Sequence, residues 1–196
     1  AIPLKRNEEG VFELYTSLKP GSYLLSDKAD ASGKRYFVDA AGMIKLGTTA
    51  TTVTGATKVY RLTFDFNVAT TNFLEIQSLG LFMSAYNKEI GQLNYVGNST
   101  WEAASIPVEF FQFSWGRDER YKFILHTAAG QEYLGSRNRD NGGPAGQAAA
   151  YFHLLPVTNN QWDYTYKFDP AADMKSVKVR AFFSAGSNYY HTVTVL

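Results

Sequence analysis

The chain has 196 residues, 45% of them hydrophobic and 15% aromatic, with 19 Lys and Arg against 18 Asp and Glu for a formal charge of +1. That length and apolar content suit one large or two small packed domains, and the near-neutral balance offers no footprint for a polyanion such as nucleic acid. Cys is absent, which excludes disulfide frameworks, thiol catalysis and zinc–thiolate sites. No apolar run approaches the ~20 residues needed to cross a bilayer.

Residues 1–10 are polar, do not read as a signal peptide and are expected to be loosely held, as in a mature or trimmed segment. Short strands are predicted at 11–15 and 23–25, with the turn Lys19-Pro20-Gly21 between them and a polar loop over 27–34. A hairpin follows at 35–39 and 43–46, closed by Ala40-Ala41-Gly42, where Gly tolerates positive φ. After a Thr-rich connection over 48–57, residues 58–66 give a clear period of two, with Tyr60, Leu62, Phe64 and Phe66 on one side. The chain turns over 67–72 and returns over 73–77.

The second half opens with a strand at 79–83 and a polar excursion over 84–98. Next comes the stretch around which the chain is organised, 101–126. Ile106, Val108 and Phe110 point one way and Phe111 and Phe113 the other, which predicts a strand covered on both faces. Tyr121, Phe123 and Leu125 oppose Arg120, Lys122 and His126, which predicts a half-exposed one. Between them, Ser114-Trp115-Gly116-Arg117-Asp118 lifts an indole and a guanidinium to a hairpin tip. Residues 137–147 form a Gly-rich loop, 151–155 are a short strand, and 161–168 alternate Trp162, Tyr164, Tyr166 and Phe168 with polar residues. Strands at 176–183 and 189–196 close the chain. No segment keeps a helical period.

The expected fold is therefore all-β, with two related antiparallel β-sandwich domains of Ig-like or Greek-key type. These are a small or incomplete domain over 1–77 and a fuller one over 78–196. Tyr60-Arg61-Leu62-Thr63-Phe64-Asp65 has a match in Tyr164-Thr165-Tyr166-Lys167-Phe168-Asp169, either an internal repeat or the chance likeness of two hairpins.

The run Lys19-Pro20-Gly21-Ser22-Tyr23, then Tyr36-Phe37-Val38-Asp39-Ala40-Ala41-Gly42 and Val59-Tyr60-Arg61-Leu62-Thr63-Phe64-Asp65-Phe66-Asn67, resembles the domains of SusE and SusF. These are surface lipoproteins of the starch-utilisation system in gut bacteria. Leu79-Gly80-Leu81, Asn98-Ser99-Thr100-Trp101 and Arg120-Tyr121-Lys122-Phe123 fit the same layout. The resemblance implies a non-catalytic glycan-binding protein at the outer-membrane cell surface. Its contact with the membrane would be a lipid anchor outside this chain, and its partners would be a polysaccharide or oligosaccharide and other outer-membrane glycan-uptake proteins. It carries no binding motif over residue by residue, so the site is argued from chemistry.

Sugar binding needs flat aromatic faces for the ring and planar polar groups for the hydroxyls. Trp115 and Arg117 supply both, although Trp115 could instead tuck back and cap the sandwich. Tyr189 and Tyr190 are adjacent, so at least one faces outward. Arg137 and Asn138, in the Arg-Asn-rich loop, could line a groove or simply be solvated. Trp101 and the Trp162, Tyr164, Tyr166 stripe read as core. An enzyme is not expected. Glu102, Glu109, Asp118 and Glu119 cluster in sequence, but ordinary surface pairing with Arg117 and Arg120 explains Asp118 and Glu119. No Gly-x-Ser-x-Gly elbow occurs, and His126, His153 and His191 lack ligand spacing. Asp140-Asn141-Gly142-Gly143 holds too few carboxylates for calcium, so no metal or cofactor is expected. The alternative to glycan binding is a structural or docking module of a surface complex.

Overall fold

The computed structural model describes residues 1–30, 32–136, 152–160 and 164–196. All of its strand ladders with a defined register are antiparallel. Among the described residues there is no α-helix, and hence none long and apolar enough to cross a membrane. The chain divides into two compact units, Ala1–Ile76 with Ser184–Ser187 and Gln77–Phe183 with Asn188–Leu196.

The first unit is built from β1 (Lys5–Arg6), β2 (Phe12–Leu18), β3 (Gly21–Tyr23), β4 (Leu25–Ser26), β5 (Arg35–Val38), β6 (Ile44–Leu46), β7 (Thr51–Val53), β8 (Lys58–Asp65) and the first part of β9 (Thr70–Met83). Its main sheet runs β1-β2-β8-β9, with β2 and β8 paired from Phe12↔Phe64 to Leu18↔Lys58. The period of two in β8 turns Leu62 and Phe64 inward onto Leu14, Leu18 and Ile44. Asp39 shapes the β5–β6 turn, its carboxylate accepting the Ala41 and Met43 N–H groups at 2.9 Å while Gly42 takes φ +78°. Lys5 Nζ donates to the Ser187 carbonyl at 2.7 Å, which ties 184–187 to this unit.

The second unit takes the rest of β9 and adds β10 (Lys88–Gly97), β11 (Thr100–Val108), β12 (Phe111–Phe113), β13 (Gly116–Asp118), β14 (Arg120–Thr127), β15 (Gly130–Gly135), β16 (Leu155–Val157), β17 (Tyr166–Lys167), β18 (Lys175–Phe182) and β19 (Tyr190–Val195). One sheet joins β10, β9, β14, β15 and β16, with β17 also on β14; the other joins β10, β11, β18 and β19. Strand β10 belongs to both, pairing with β9 over Lys88–Leu93 and with β11 over Asn94–Gly97. The change of partner falls between Leu93 and Asn94, and within the β9 pairing a bulge lies between Glu89 and Gly91, where a Cβ on Gly91 would come within 2.8 Å of Ile106 Cγ2.

Several expectations change here. The stretch 84–98, expected as a polar excursion, contains the ten-residue β10, because only Leu93 is fully buried along it. The strands expected at 73–77 and 79–83 are one strand, β9. Lys122 is not half-exposed but fully buried: Nζ donates to the Asn160 carbonyl at 2.5 Å and lies 5.1 Å from the Tyr133 ring centre. The six-residue match serves two different pairings, a full strand in β8 but only Tyr166–Lys167 in β17, after Tyr164 at φ +55°.

The two sheets of the second unit meet at His191, whose ring packs on Tyr121, Phe123 and Tyr166 at 5.7, 4.9 and 4.3 Å. Nδ1 lies 2.9 Å from the Phe152 carbonyl, which only accepts, so Nδ1 carries the proton and Nε2 accepts the Tyr121 O–H at 2.9 Å. Burial pushes the His191 pKa from 6.5 down to about 3, against a smaller upward pull from the Phe152 hydrogen bond. The unfolded chain therefore binds a proton here that the folded chain refuses. This contribution to stability is complete above about pH 6.5 and is lost as pH falls toward 3. Urea unfolding between pH 7 and 4 should show stability falling by up to about 1.4 kcal/mol per pH unit from this group. His191→Gln should flatten that slope, and an unchanged slope in the variant would contradict the assignment.

Candidate ligand-binding site

Between the end of β11 at Val108 and the start of β14 at Arg120, the chain leaves both sheets as the β12–β13 hairpin. Phe111 pairs with Asp118, Gln112 with Arg117 and Phe113 with Gly116, which puts Ser114 and Trp115 at the tip. A two-stranded hairpin is marginal alone, and both feet of this one are clamped. Phe110 is buried against Phe168, and its N–H donates to Asp173 Oδ1 at 2.9 Å, while Asp173 Oδ2 takes the Arg117 guanidinium. Asp118, 1% exposed, accepts the Arg120 N–H at 3.0 Å and the Arg120 guanidinium. The surface pairing expected for Asp118 is thus a buried pair.

Trp115 does not tuck under the sandwich. It is 68% exposed and lies flat on Phe113, with ring centres 4.9 Å apart and planes 9° apart. Phe113 leans on Phe111 at 4.5 Å, and Phe111 meets Tyr86 edge-on at 5.2 Å. Lys88 Nζ stands 5.5 Å from the Tyr86 ring centre. Phe111 and Phe113 are half-buried rather than covered, because the hairpin has left the sheets and one face has no second layer over it. On the other face of the hairpin, exposed Arg117 holds Gln112 Oε1 at 3.3 Å through Nε, and Gln112 Nε2 donates to the Phe113 carbonyl at 2.7 Å. The aromatic ladder and these planar groups thus occupy opposite faces of the hairpin.

Tyr86 also forms one wall of a cleft of about 540 Å³ with Lys88, Glu89, Glu109, Met174 and Lys175. Burial, and secondarily the charge of Glu109, raises the Tyr86 phenol pKa, so its O–H remains a donor. Glu89 is fixed by His126 Nε2 at 2.7 Å. Tyr86 was not among the sequence candidates, although an aromatic in the polar turn Ala85-Tyr86-Asn87-Lys88 is the same kind of signal as Trp115.

Tyr190 stacks on Phe182 at 4.6 Å, with the Arg180 guanidinium 4.9 Å from the Phe182 ring, forming a second stack on β18 and β19. Tyr189 packs on Phe183 at 5.2 Å. Trp101 and Tyr166 are core, as expected, but Tyr164 is only half-buried and Thr165, expected on the polar side, is fully buried. Arg137, Asn138, Trp162 and the Asp140–Gly143 stretch (140–143) lie outside the described residues. Glu102 pairs with Lys178 and Arg180, and Glu119 with Lys167. Among the described residues no three His, Cys, Asp or Glu side chains are grouped to hold a metal ion.

No protein-family model matches the chain, and a search of curated proteins gives no match.

The two cations beside the hairpin should differ sharply on mutation. Removing the Arg120 partner with Asp118→Ala should cost about 3 kcal/mol, because a partly buried guanidinium loses its carboxylate. Arg117→Ala should cost less than about 1 kcal/mol, since the guanidinium is largely exposed and Asp173 keeps the Phe110 N–H. Chemical denaturation of both variants checks the order, and equal losses would contradict the clamp.

Proposed function

We propose that this chain is a non-catalytic carbohydrate-binding protein whose ligand stacks on Trp115. One observation carries the reading: Trp115 is 68% exposed yet held flat against Phe113. Exposing an indole forgoes the gain of burying it. Ordering it in advance lowers the entropy cost of stacking a sugar ring on its outer face. Gln112 and Arg117, paired across the hairpin, project from its other face, so stacking on the indole carries the reading. The sequence resemblance to SusE and SusF supports the same class and adds a cell-surface, outer-membrane setting with a lipid anchor outside this chain. Glu102, Asp118 and Glu119 are each engaged in an ion pair, while Glu109 lines the cleft with Glu89, whose carboxylate is held by His126.

The second reading, a docking module for a protein partner, is favoured by the Tyr190, Phe182 and Arg180 stack, which spreads over a sheet face. Tryptophan fluorescence during titration with a panel of soluble polysaccharides separates the two. Saturable quenching or shift by at least one neutral glycan, lost at least tenfold in affinity in Trp115→Ala, is the expected result. No response to any glycan would favour docking. Release of reducing sugar during the incubation would overturn the non-catalytic part of the reading.

A further inference from the structure

Tyr86 belongs to two features at once. Its ring ends the ladder Trp115–Phe113–Phe111–Tyr86, in which successive ring centres are 4.9, 4.5 and 5.2 Å apart, and it also walls the 540 Å³ cleft. The exposed indole and the cleft are therefore the two ends of one chain of ring contacts. A monosaccharide stacked on Trp115 fills only the first end. The cleft presents two ammonium groups, Lys88 and Lys175, and two carboxylates, Glu89 and Glu109. A sugar hydroxyl both donates and accepts, so it can use either kind of group. Two charges of each sign balance, so the lining selects neither a uronate nor an amino sugar and suits a neutral residue. The groups there are not loose: Glu89 is fixed by His126, and Lys88 lies over Tyr86.

We infer that the platform and the cleft are two subsites of one extended site, which takes a neutral linear oligosaccharide of three or more residues lying from Trp115 along the ladder to the Glu109–Lys175 cleft. This rests on the glycan-binding reading and adds the ligand's length, charge class and path. Trp115 supplies binding to any chain that covers it, short or long. Glu109 and Lys175 act only on chains long enough to reach them.

The test is isothermal titration of the intact protein with malto-, cello-, xylo- and manno-oligosaccharides from dimer to hexamer. Oligogalacturonates serve as the charged comparison. The proteins are wild type, Trp115→Ala, Glu109→Gln and Lys175→Ser. Glu109 is exposed, so its variant is expected to fold, and an unchanged affinity for the dimer reports that it has done so. In the series that binds, wild-type affinity should rise at least tenfold from dimer to tetramer and then level off. That rise should shrink to threefold or less in Glu109→Gln and Lys175→Ser with dimer affinity unchanged, and the galacturonates should bind more weakly. Trp115→Ala should weaken every length. A wild-type affinity that does not grow beyond the dimer, or a rise that survives both cleft variants, would overturn this inference while leaving glycan binding at Trp115 intact. No binding in any series, or indifference to Trp115→Ala, would remove the glycan reading itself.

Discussion

Two carboxylates, Asp118 and Asp173, hold the part of the second unit that leaves its sheets. A short antiparallel hairpin has too few partners to order itself. Here each foot ends in an aspartate, one accepting the Phe110 N–H and the Arg117 guanidinium, the other wrapped by Arg120. Phe110, stacked on Phe168 in the core, adds the apolar anchor. The tip can then carry a large exposed indole without losing its geometry. The aromatic ladder follows from that constraint, because Phe111 and Phe113 lie on the hairpin face that no sheet covers. Polar clamping below and apolar display above are two sides of one arrangement.

Much of this was legible from residue order. The alternation of Tyr60, Leu62, Phe64 and of Tyr121, Phe123, Leu125 gave strands, and Gly42 and the Trp115 turn gave hairpins, because local pattern decides both. What failed to show was set by contacts distant in sequence. Strand β10 reads as polar because Lys88, Gln92 and Asn94 face outward and its bulge uses Gly91, a residue chosen by the approach of Ile106. Lys122 reads as solvent-facing, since nothing in the strand reveals that the Asn160 carbonyl and the Tyr133 ring cover it. Half of the candidate site was equally hidden. Trp115 and Arg117 stand out as an aromatic and a cation in a polar turn, but only the fold brings Tyr86 to Phe111. The sequence-expected Tyr190 proves to belong to another stack, on β19, whose partner Phe182 faces it across the β18–β19 ladder.

His191 shows how the interior tolerates polarity. One ring nitrogen donates to a carbonyl and the other accepts from a phenol, so burial leaves no polar atom of the imidazole unmatched. Hydrogen bonding at both nitrogens fixes the orientation of the ring and specifies which residues of the two sheets come together, something a leucine of similar size would not do. Three aromatic rings then pack around a group whose position is already determined.

The way β11 and β18 pair has a consequence for how the molecule comes into being. Thr100 finds Phe182 and Val108 finds Lys175 only after almost the whole of the second unit has been synthesised. Nonlocal pairing of this kind slows folding, because loop closure must precede any reward from the contacts. The residues of β12 and β13 emerge long before, and before their own clamps Phe168 and Asp173. During that interval Trp115, Phe113 and Phe111 would be displayed on a chain whose sheet edges are still open, a combination that invites association between nascent molecules. The same ring surface that serves a ligand in the finished protein is thus a hazard during biogenesis, and it gives a physical reason for this chain to need shielding until β18 arrives.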